Sequence, residues 1–338
     1  MRLILVPQFP KELRYQEWWL YDFPEKLSYY FDEIKVLGKN SEFLKDGLID
    51  FSKMYTTGEF SPPNIAMKFE FEQIQEYYNM ELYNDDILLL LDISFPGFFP
   101  HVLYHKMPNK AFAFCHATSI NNLDYFEKVS NVRDNSKADS ERAIFKLFNT
   151  VFVSSEYHRE KLVEEYFPFP EDIVALKALP NPPFVEKFEH NDNYDFDQRE
   201  NKIVSVSRPS EQKVNLNIEK FVEKEFGTKI LRPEATTWDQ YYDFLRNSKI
   251  VLLTGKEDTY GYAIIDAYLS GCNVVAPNNF AYPELLGSFS NQLYEKEDLR
   301  TLTSIIKENI KTHRFHELNN EHYINNFYDY LAMYMLEG

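Results

Sequence analysis

The residues best suited to bind a ligand or to catalyse a reaction lie in one continuous segment from Gly255 to Pro277. Its sequence is GKEDTYGYAIIDAYLSGCNVVAP. The pattern predicts a strand, an acidic loop and a helix that begins near Gly261. Free N–H groups and the dipole at a helix start suit an anionic phosphate, and a glycine there allows a close approach. Asp258 lies in the loop, whereas Asp266 lies inside the helix, four residues after Tyr262 and on the same face. The carboxylate of Asp266 can accept hydrogen bonds from a pair of hydroxyl groups.

Other motifs for nucleotides and metals are missing or poorly placed. No G-x-G-x-x-G follows a strand and no G-x-x-x-x-G-K-[ST] is present, which argues against a dinucleotide dehydrogenase and a P-loop NTPase. The D-x-D triplet 195–197 lies in an Asn/Asp-rich stretch and not at a rigid strand end, so we do not interpret it as a metal motif. The histidine pairs 101/105 and 313/316 lack a convincing third ligand. We therefore predict no metal site.

The elements that must position the acidic segment form two series of alternating strands and helices, which predicts an α/β fold with parallel sheets. The first series has strands at 2–6, 33–37, 86–91, 111–115 and 150–154, and helices at 15–30, 64–78, 138–148 and 156–166. The second has the strands KIVSVS, TKIL, KIVLL and NVVAP, with helices around NIEKFVEKEF, WDQYYDFLRN and YAIIDAYLS.

A stretch without sustained periodicity separates the two series and predicts the domain limits. We expect an N-terminal Rossmann-like domain over 1–180, a linker over 181–201 and a C-terminal Rossmann-like domain over 202–317. The amphipathic terminal pattern 318–336 has no strand after it, so it must pack on a structure already built. Ligands of open parallel sheets bind at the carboxyl ends of the strands, which here predicts a cleft between the domains.

Composition narrows the class of partner and the compartment. The 338 residues carry a net charge of −17, which argues against a nucleic-acid-binding protein. The two cysteines, Cys115 and Cys272, each lie in an apolar run, which indicates buried thiols in a reducing compartment. The short apolar start before Pro7 does not resemble a signal peptide, and no apolar run is long enough to span a membrane. We expect a soluble cytoplasmic protein, and leave open a peripheral contact with a membrane.

The acidic segment resembles the C-terminal motif of family-4 glycosyltransferases, which have the GT-B fold. That motif has two glutamates separated by seven residues, the first within an E-x-F-G turn. Asp258 and Asp266 stand in the two acidic places, Tyr260 and Gly261 stand for Phe-Gly, and Glu284 in YPELL stands on the Pro-Glu that follows. The resemblance covers about 150–286 well and the N-terminal part in outline.

Segments upstream extend the resemblance. VSVSRPSEQK places Arg208 and Lys213 on the basic pair after the first strand of the C-terminal domain, and VFVSSEYHREKL and LPNPPF resemble the segments before the linker. His116, after the strand AFAFC, matches the position from which such enzymes send a histidine to the donor sugar. The family also implies that the terminal helix, 318–338, packs back on the N-terminal domain.

The resemblance implies a role for each of these residues. Arg208 and Lys213 would clamp the donor diphosphate and stabilise the charge that builds on it. Asp258 would hold hydroxyls of the donor sugar and Asp266 those of the ribose. Backbone N–H groups of Tyr260, Gly261 and Tyr262 would bind phosphate or sugar. His116 would act with Asp258 and the basic pair at the reacting centre, and Glu284 would contact the donor.

The implied reaction moves a sugar from a nucleotide-diphosphate-sugar donor to a hydroxyl acceptor, with retention of configuration and without a metal or cofactor. The acceptor is open between a glycan, a lipid-linked compound and a protein. The sequence departs from the family at two points: aspartate replaces glutamate at both acidic positions, and PQFPKELRYQEWW replaces the Gly-rich loop after the first strand. A catalytically silent GT-B scaffold that binds a nucleotide or protein partner therefore remains an alternative, as does a nucleotide-sugar epimerase of the same fold.

Overall fold

Two parallel sheets organise the chain in the computed structural model. The structure describes residues 1–11, 15–49, 64–93, 106–118, 136–167, 176–180, 195–207, 213–235, 237–287, 291–295, 298–313, 318 and 321–337. Both sheets and the helices that cover them lie within these ranges.

The strands, in chain order, are β1 (Arg2–Val6), β2 (Glu33–Val36), β3 (Leu44–Lys45), β4 (Leu48–Ile49), β5 (Ile87–Leu90), β6 (Lys110–Cys115), β7 (Thr150–Val153), β8 (Leu176–Ala178), β9 (Glu200–Val204), β10 (Ser248–Leu252), β11 (Asn273–Pro277) and β12 (Leu293–Tyr294). The first sheet has the order β2-β1-β5-β6-β7-β8 and the second β12-β11-β10-β9, and every pairing within them is parallel. Strands β3 and β4 form a separate antiparallel hairpin.

The helices are α1 (Gln16–Trp19), α2 (Asp22–Leu27), α3 (Asn64–Asn79), α4 (Ser136–Phe145), α5 (Glu156–Tyr166), α6 (Leu216–Phe226), α7 (Trp238–Arg246), α8 (Tyr262–Leu269), α9 (Tyr282–Leu286), α10 (Leu299–Lys311), α11 (Glu321–Asn325) and α12 (Phe327–Glu337). A single turn of 3₁₀ helix, Phe196–Gln198, precedes β9. No helix in this part of the chain is long and apolar enough to cross a membrane.

The central strands of both sheets are buried because helices cover both faces. Every residue of β5 and of β10 is buried. In the first sheet, alternate residues feed two separate cores: Ile4 and Leu88 pack on one face, and Leu3 and Leu89 on the other. The second sheet likewise divides its side chains between two clusters.

The last helix returns to the first sheet. Phe327, Leu331 and Met335 of α12 are buried in the same cluster as Trp19 and Phe23, which belong to α1 and α2. Lys110 Nζ at the start of β6 donates to the carbonyl oxygen of Leu336 at 2.7 Å. The chain therefore crosses from the second sheet to the first at its carboxyl end.

Several predicted elements differ from the observed ones. The single helix predicted over 15–30 is wrong, because α1 and α2 are separate. In a continuous helix the ring of Pro24 would clash with the carbonyl group of Leu20, four residues earlier, whereas in the first turn of α2 it is tolerated. The predicted strand TKIL is reduced to one bridge between Leu231 and Val204. The predicted terminal helix 318–336 is divided into α11 and α12 near Asn326.

Candidate functional site

The acidic loop connects β10 to α8 at the carboxyl edge of the second sheet. Gly261 precedes α8 with φ of +94°, a left-handed conformation that disfavours residues with a side chain. A Cβ atom at this position would lie 3.1 Å from Cδ1 of Tyr282 and 3.2 Å from Cδ1 of Leu285, which leaves little space. The glycine is therefore required both by the backbone and by its neighbours, and it places the first N–H groups of α8 beside the loop.

Three donors surround the carboxylate of Asp258. Lys213 Nζ lies 3.2 Å from Oδ1, the backbone N–H of Tyr260 donates to Oδ1 at 3.3 Å, and the hydroxyl of Tyr282 donates to Oδ2 at 3.1 Å. Burial raises the pKa of Asp258, but the charge of Lys213 and these hydrogen bonds outweigh it, so the pKa is lowered overall. Asp258 is therefore ionised at neutral pH, and its side chain is still 19% exposed.

Asp266, on α8, pairs with two tyrosines of α7. The hydroxyl of Tyr241 donates to Oδ2 at 2.9 Å and that of Tyr242 to Oδ1 at 3.1 Å. Burial raises the pKa of Asp266 to about 6, against the opposing effect of the two hydrogen bonds. Two tyrosine hydroxyls therefore already occupy the carboxylate that was predicted to accept hydrogen bonds from a ribose. Each carboxylate oxygen can still accept a further hydrogen bond.

Of the two predicted cations, Lys213 is brought to the acidic loop and Arg208 lies outside the described residues. Lys213 is held near the loop because the backbone N–H of Asn215 donates to Thr254 Oγ1 at 3.1 Å. This hydrogen bond joins the segment after β9 to the segment after β10. The side chain of Lys213 is 20% exposed.

His116 lies at the carboxyl edge of the first sheet, just after β6. Its Nε2 is 3.0 Å from the carbonyl oxygen of Leu91, and because a carbonyl only accepts, Nε2 carries the proton of the neutral ring. The ring stacks on Trp19 at 5.0 Å between centroids and lies 5.3 Å from Tyr15. Burial lowers the pKa of His116, which keeps the ring uncharged at neutral pH.

The carboxyl edges of the two sheets face each other, and direct hydrogen bonds join them. Ser155 Oγ donates to the carbonyl oxygen of Thr259 at 2.5 Å, and Thr259 Oγ1 donates to the carbonyl oxygen of His116 at 3.0 Å. Lys161 on α5 forms an ion pair with the buried Glu257 at 3.0 Å. These three contacts could not be predicted from local sequence patterns, because each joins residues about 100 or more positions apart.

Aromatic rings line the same boundary. Tyr262, at the start of α8, stacks on Tyr15 with 5.6 Å between ring centroids and meets the buried Tyr260 edge to face at 4.8 Å. Tyr15 belongs to PQFPKELRYQEWW, the segment that replaces the expected Gly-rich loop. Side chains from this segment therefore approach the helix that was predicted to bind the donor.

Glu284 of α9 contacts α5, a helix that belongs to the first half of the chain. Its carboxylate accepts the backbone N–H of Glu156 at 2.9 Å and that of Tyr157 at 2.5 Å, at the N-terminus of α5. Burial raises the pKa of Glu284, whereas these two hydrogen bonds act in the opposite direction. A carboxylate at a helix N-terminus is favourable, so this contact joins the two halves of the chain.

No group of three His, Cys, Asp or Glu side chains is arranged to hold a metal ion in the residues that the structure describes. Of the predicted site residues, Lys213, Asp258, Tyr260, Gly261 and Tyr262 meet around the loop, and Thr259 connects them to His116. Asp266 and Glu284 lie on the helices that follow.

Solved structures share this architecture at low sequence identity. No protein-family model and no curated protein sequence matches the chain. A sucrose-phosphate synthase from Thermosynechococcus elongatus has a TM-score of 0.60 at 12% identity, covering 100% of this chain and 98% of its own. An E. coli trehalose-6-phosphate protein bound with UDP-2-fluoro glucose has a TM-score of 0.59 at 10% identity, with the same coverage.

A third structure of similar shape is the N-terminal domain of trehalose-6-phosphate phosphatase from Candida albicans. Its TM-score is 0.56 at 11% identity, and the match covers 99% of this chain and 96% of that one. These similarities extend over both sheets and the connection between them. The chain therefore has the GT-B fold, with two Rossmann-like units whose carboxyl edges face each other.

Proposed function

We propose that the protein is a glycosyltransferase that moves a sugar from a nucleotide-diphosphate-sugar donor to a hydroxyl acceptor with retention of configuration. The observation that carries the proposal is the arrangement around Asp258. An ionised carboxylate, the cation of Lys213 and the N-terminus of α8 lie together at one sheet edge. Thr259 joins this loop to the backbone of His116. A donor of this class carries sugar hydroxyls, which suit the carboxylate and the histidine, and two phosphates, which suit the cation and the helix N-terminus.

Lys213 and the N–H groups at the start of α8 would bind the diphosphate and stabilise its growing negative charge as the glycosidic bond breaks. We propose that Arg208 shares this role. Because Lys213 already contacts Asp258, donor binding would place its ammonium group between the carboxylate and a phosphate oxygen. The departing phosphate oxygen would take the proton of the acceptor hydroxyl, and no metal is required in this scheme.

Asp258 would accept hydrogen bonds from hydroxyls of the donor sugar, and Asp266 from those of the ribose. Aspartate is one methylene shorter than the glutamate of family 4, so the donor would lie closer to the loop. The neutral ring of His116 can accept a hydrogen bond through Nδ1, because Nε2 donates to Leu91. We propose that this nitrogen faces a hydroxyl of the donor sugar.

The domain limits that support this scheme are also proposed: 1–180 for the acceptor domain, 181–201 for the linker and 202–317 for the donor domain, with 318–338 returning to the first. Two solved structures of similar fold support a nucleotide-diphosphate sugar as the donor. The E. coli protein was solved with UDP-2-fluoro glucose, and a S. aureus TarM variant, with a TM-score of 0.53, was solved with UDP. Membership of family 4, a cytoplasmic location and the identity of the acceptor remain predictions.

The experiment is a panel of UDP-glucose, UDP-N-acetylglucosamine, ADP-glucose and GDP-mannose, tested first for thermal stabilisation and then for nucleotide release. A ligand that binds the native state must raise its apparent stability. At a saturating concentration of the active donor, Lys213→Met should lower the rate of nucleotide release by roughly 10²–10³, or about 3–4 kcal/mol, as expected for loss of one preorganised charge-stabilising donor.

Lys220→Met is the matched control, because Lys220 is an exposed lysine on α6 close to Lys213 in sequence. It should leave both binding and rate unchanged. Equal rates for the wild type and Lys213→Met at saturation would show that Lys213 does not stabilise the leaving group. Arg208→Ala, measured in the same way, tests the second cation.

The second candidate is a catalytically silent GT-B scaffold. Two observations favour it: the carboxylate of Asp266 already accepts two tyrosine hydroxyls, and the same fold occurs in the N-terminal domain of a protein named as a phosphatase. A scaffold predicts that a nucleotide stabilises the protein while no donor of the panel releases its nucleotide, with or without acceptors. Turnover of any donor by the wild type excludes it.

A further inference from the structure

A network of buried polar side chains lies at the carboxyl edge of the first sheet, outside the residues discussed above. Gln8 follows β1 and Asp92 follows β5, and their side chains are joined by a hydrogen bond from Gln8 Nε2 to Asp92 Oδ2 at 2.5 Å. Gln16 Nε2 donates to Gln8 Oε1 at 2.9 Å. Since β1 and β5 are parallel neighbours, both residues lie on the edge that faces the second sheet.

Glu70 of α3 lies next to this network. Gln73, one turn later on α3, donates through Nε2 to the carbonyl oxygens of Pro7 at 2.8 Å and Leu37 at 3.1 Å, which are the residues directly after β1 and β2. These bonds fix the middle of α3 at the carboxyl edge of the sheet. The negative charge of Asp92 acts on Glu70 and contributes to raising the pKa of its carboxyl group.

Glu70 is only 5% exposed, and its Oε1 atom has no hydrogen-bond partner. A buried polar atom without a partner costs about 1–3 kcal/mol of stability, so its retention in a folded protein needs an explanation. Burial, helped by the charge of Asp92, raises the pKa of Glu70 to about 9. The group therefore holds its proton at neutral pH and can both donate and accept a hydrogen bond.

We propose that Glu70, together with Asp92, binds a hydroxyl group of an uncharged acceptor such as a sugar or a polyol. A hydroxyl supplies the hydrogen-bond partner that Oε1 of Glu70 lacks, whereas a phosphate would place negative charge beside Asp92. The network is on the same sheet edge as His116, whose Nε2 binds the carbonyl of Leu91, the residue next to Asp92. This inference rests on the proposed glycosyltransferase function and adds the chemical class of its acceptor.

The test compares uncharged compounds (glycerol, myo-inositol, glucose and maltose) with phosphorylated ones (glycerol 3-phosphate, glucose 6-phosphate and fructose 6-phosphate). Binding is measured by saturation-transfer NMR in the presence of UDP, and transfer is measured with the donor that the wild type uses. We expect binding and transfer for at least one uncharged compound. Glu70→Met should raise the KM or Kd for that compound at least about tenfold, the value of one or two hydrogen bonds.

Three further measurements separate recognition from a structural role. Glu70→Met should keep the rate of donor hydrolysis and should not lower Tm, because it removes an unpaired buried polar atom. Glu70→Gln, which keeps a donor and an acceptor, should stay within about threefold of the wild type for the uncharged compound. Tyr77→Phe, at the other end of α3, should leave acceptor binding unchanged.

The inference is overturned if the wild type binds none of the uncharged compounds, binds only phosphorylated ones, or shows the same acceptor affinity after Glu70→Met. These outcomes differ from failure of the proposed function, in which the wild type turns over no donor at all. Retained donor hydrolysis with unaltered acceptor affinity in Glu70→Met would leave the glycosyltransferase proposal intact and remove Glu70 from it.

Discussion

Asp266→Asn distinguishes a ribose-binding carboxylate from a structural anchor between α7 and α8. In the folded protein, burial raises the pKa of Asp266 from its ordinary value of 3.8 to about 6. A rise of that size corresponds to about 2 to 3 kcal/mol of unfavourable charging free energy, after allowance for the partial exposure of the side chain. The wild type therefore keeps an ionised group at neutral pH at a cost that asparagine does not have.

The pH dependence of stability has a definite sign. A carboxyl group whose folded pKa lies above its unfolded pKa binds protons more tightly in the folded state, so its contribution to stability falls as pH rises from about 4 to about 6. The stability of the wild type relative to Asp266→Asn should decrease over that interval and level off above it. Thermal unfolding of both proteins from pH 4.5 to 7.5 should show a change of several degrees in their Tm difference, since about 1 kcal/mol corresponds to roughly 2–4 °C in domains of this size.

Ligand binding gives the functional half of the test. If ribose hydroxyls donate to Asp266, the donor binds the ionised form better, so its affinity should rise up to tenfold per pH unit below pH 6 and become constant above it. A nucleotide-diphosphate sugar is the correct probe, because both of its phosphates are esterified and neither titrates near pH 6. In Asp266→Asn this pH dependence should disappear and affinity should be lower at pH 7.5.

Two results would refute this reasoning in different ways. A Tm difference that does not change between pH 4.5 and 7.5 would mean that the folded pKa of Asp266 is not raised. A donor affinity that is equal in both proteins at pH 7.5 and independent of pH would mean that Asp266 only joins Tyr241 and Tyr242 to α8. The second result would leave Asp258 and Lys213 as the donor-binding groups.

The contacts around the acidic loop give three more predictions. Thr259→Val should lower kcat about tenfold and leave the donor Kd unchanged, because the hydrogen bond to the carbonyl oxygen of His116 is lost. Thr303→Val is the control, since it loses only a hydrogen bond within α10 and should keep the wild-type kcat. Equal kcat values for the two variants would contradict the prediction. Glu284→Gln should weaken the contact with α5 and raise the rate of limited proteolysis between the two halves, an effect that donor should reverse. Gly261→Ala should destabilise the protein by about 1–3 kcal/mol, measured by Tm, through its positive φ and the nearby ring of Tyr282.

Much of the fold could be predicted from local signals in the sequence. The strands β1, β5, β6, β7, β10 and β11 lie within two residues of their predicted limits, because each is a short apolar run bounded by turn or helix signals. The start of α8 followed from Gly261. The helix α10 was missed, although Asp298 caps it through Arg300 and Thr301 N–H groups and its sequence LRTLTSIIKENIK has helical spacing. These local signals are sufficient to predict a helix over this segment.

Other features had no local signal. The division between α1 and α2 depends on Pro24, but the surrounding apolar periodicity continues across it. Glu70 and Glu257 are buried, yet a binary pattern treats glutamate as a surface residue. The partners of Asp266 are tyrosines on another helix, and those of Glu284 are backbone groups of the other half. These depend on tertiary packing, which the spacing of residues along one segment does not encode.

The order of side chains in the acidic loop ties the geometry of the site to the contact between the two halves. Glu257 pairs with Lys161 of the first half, Asp258 points to Lys213 and Tyr282 of its own half, and Thr259 returns to the first half. Three consecutive residues thus alternate between the two sides, as neighbours in an extended segment do. Separation of the halves would leave the buried carboxylate of Glu257 without its cation and Thr259 without both of its interdomain hydrogen bonds, and each loss is unfavourable. The first half therefore holds the loop on both sides of Asp258, while Lys213 and Tyr282 of the second half hold its carboxylate, so the proposed donor would meet a carboxylate that both halves help to position.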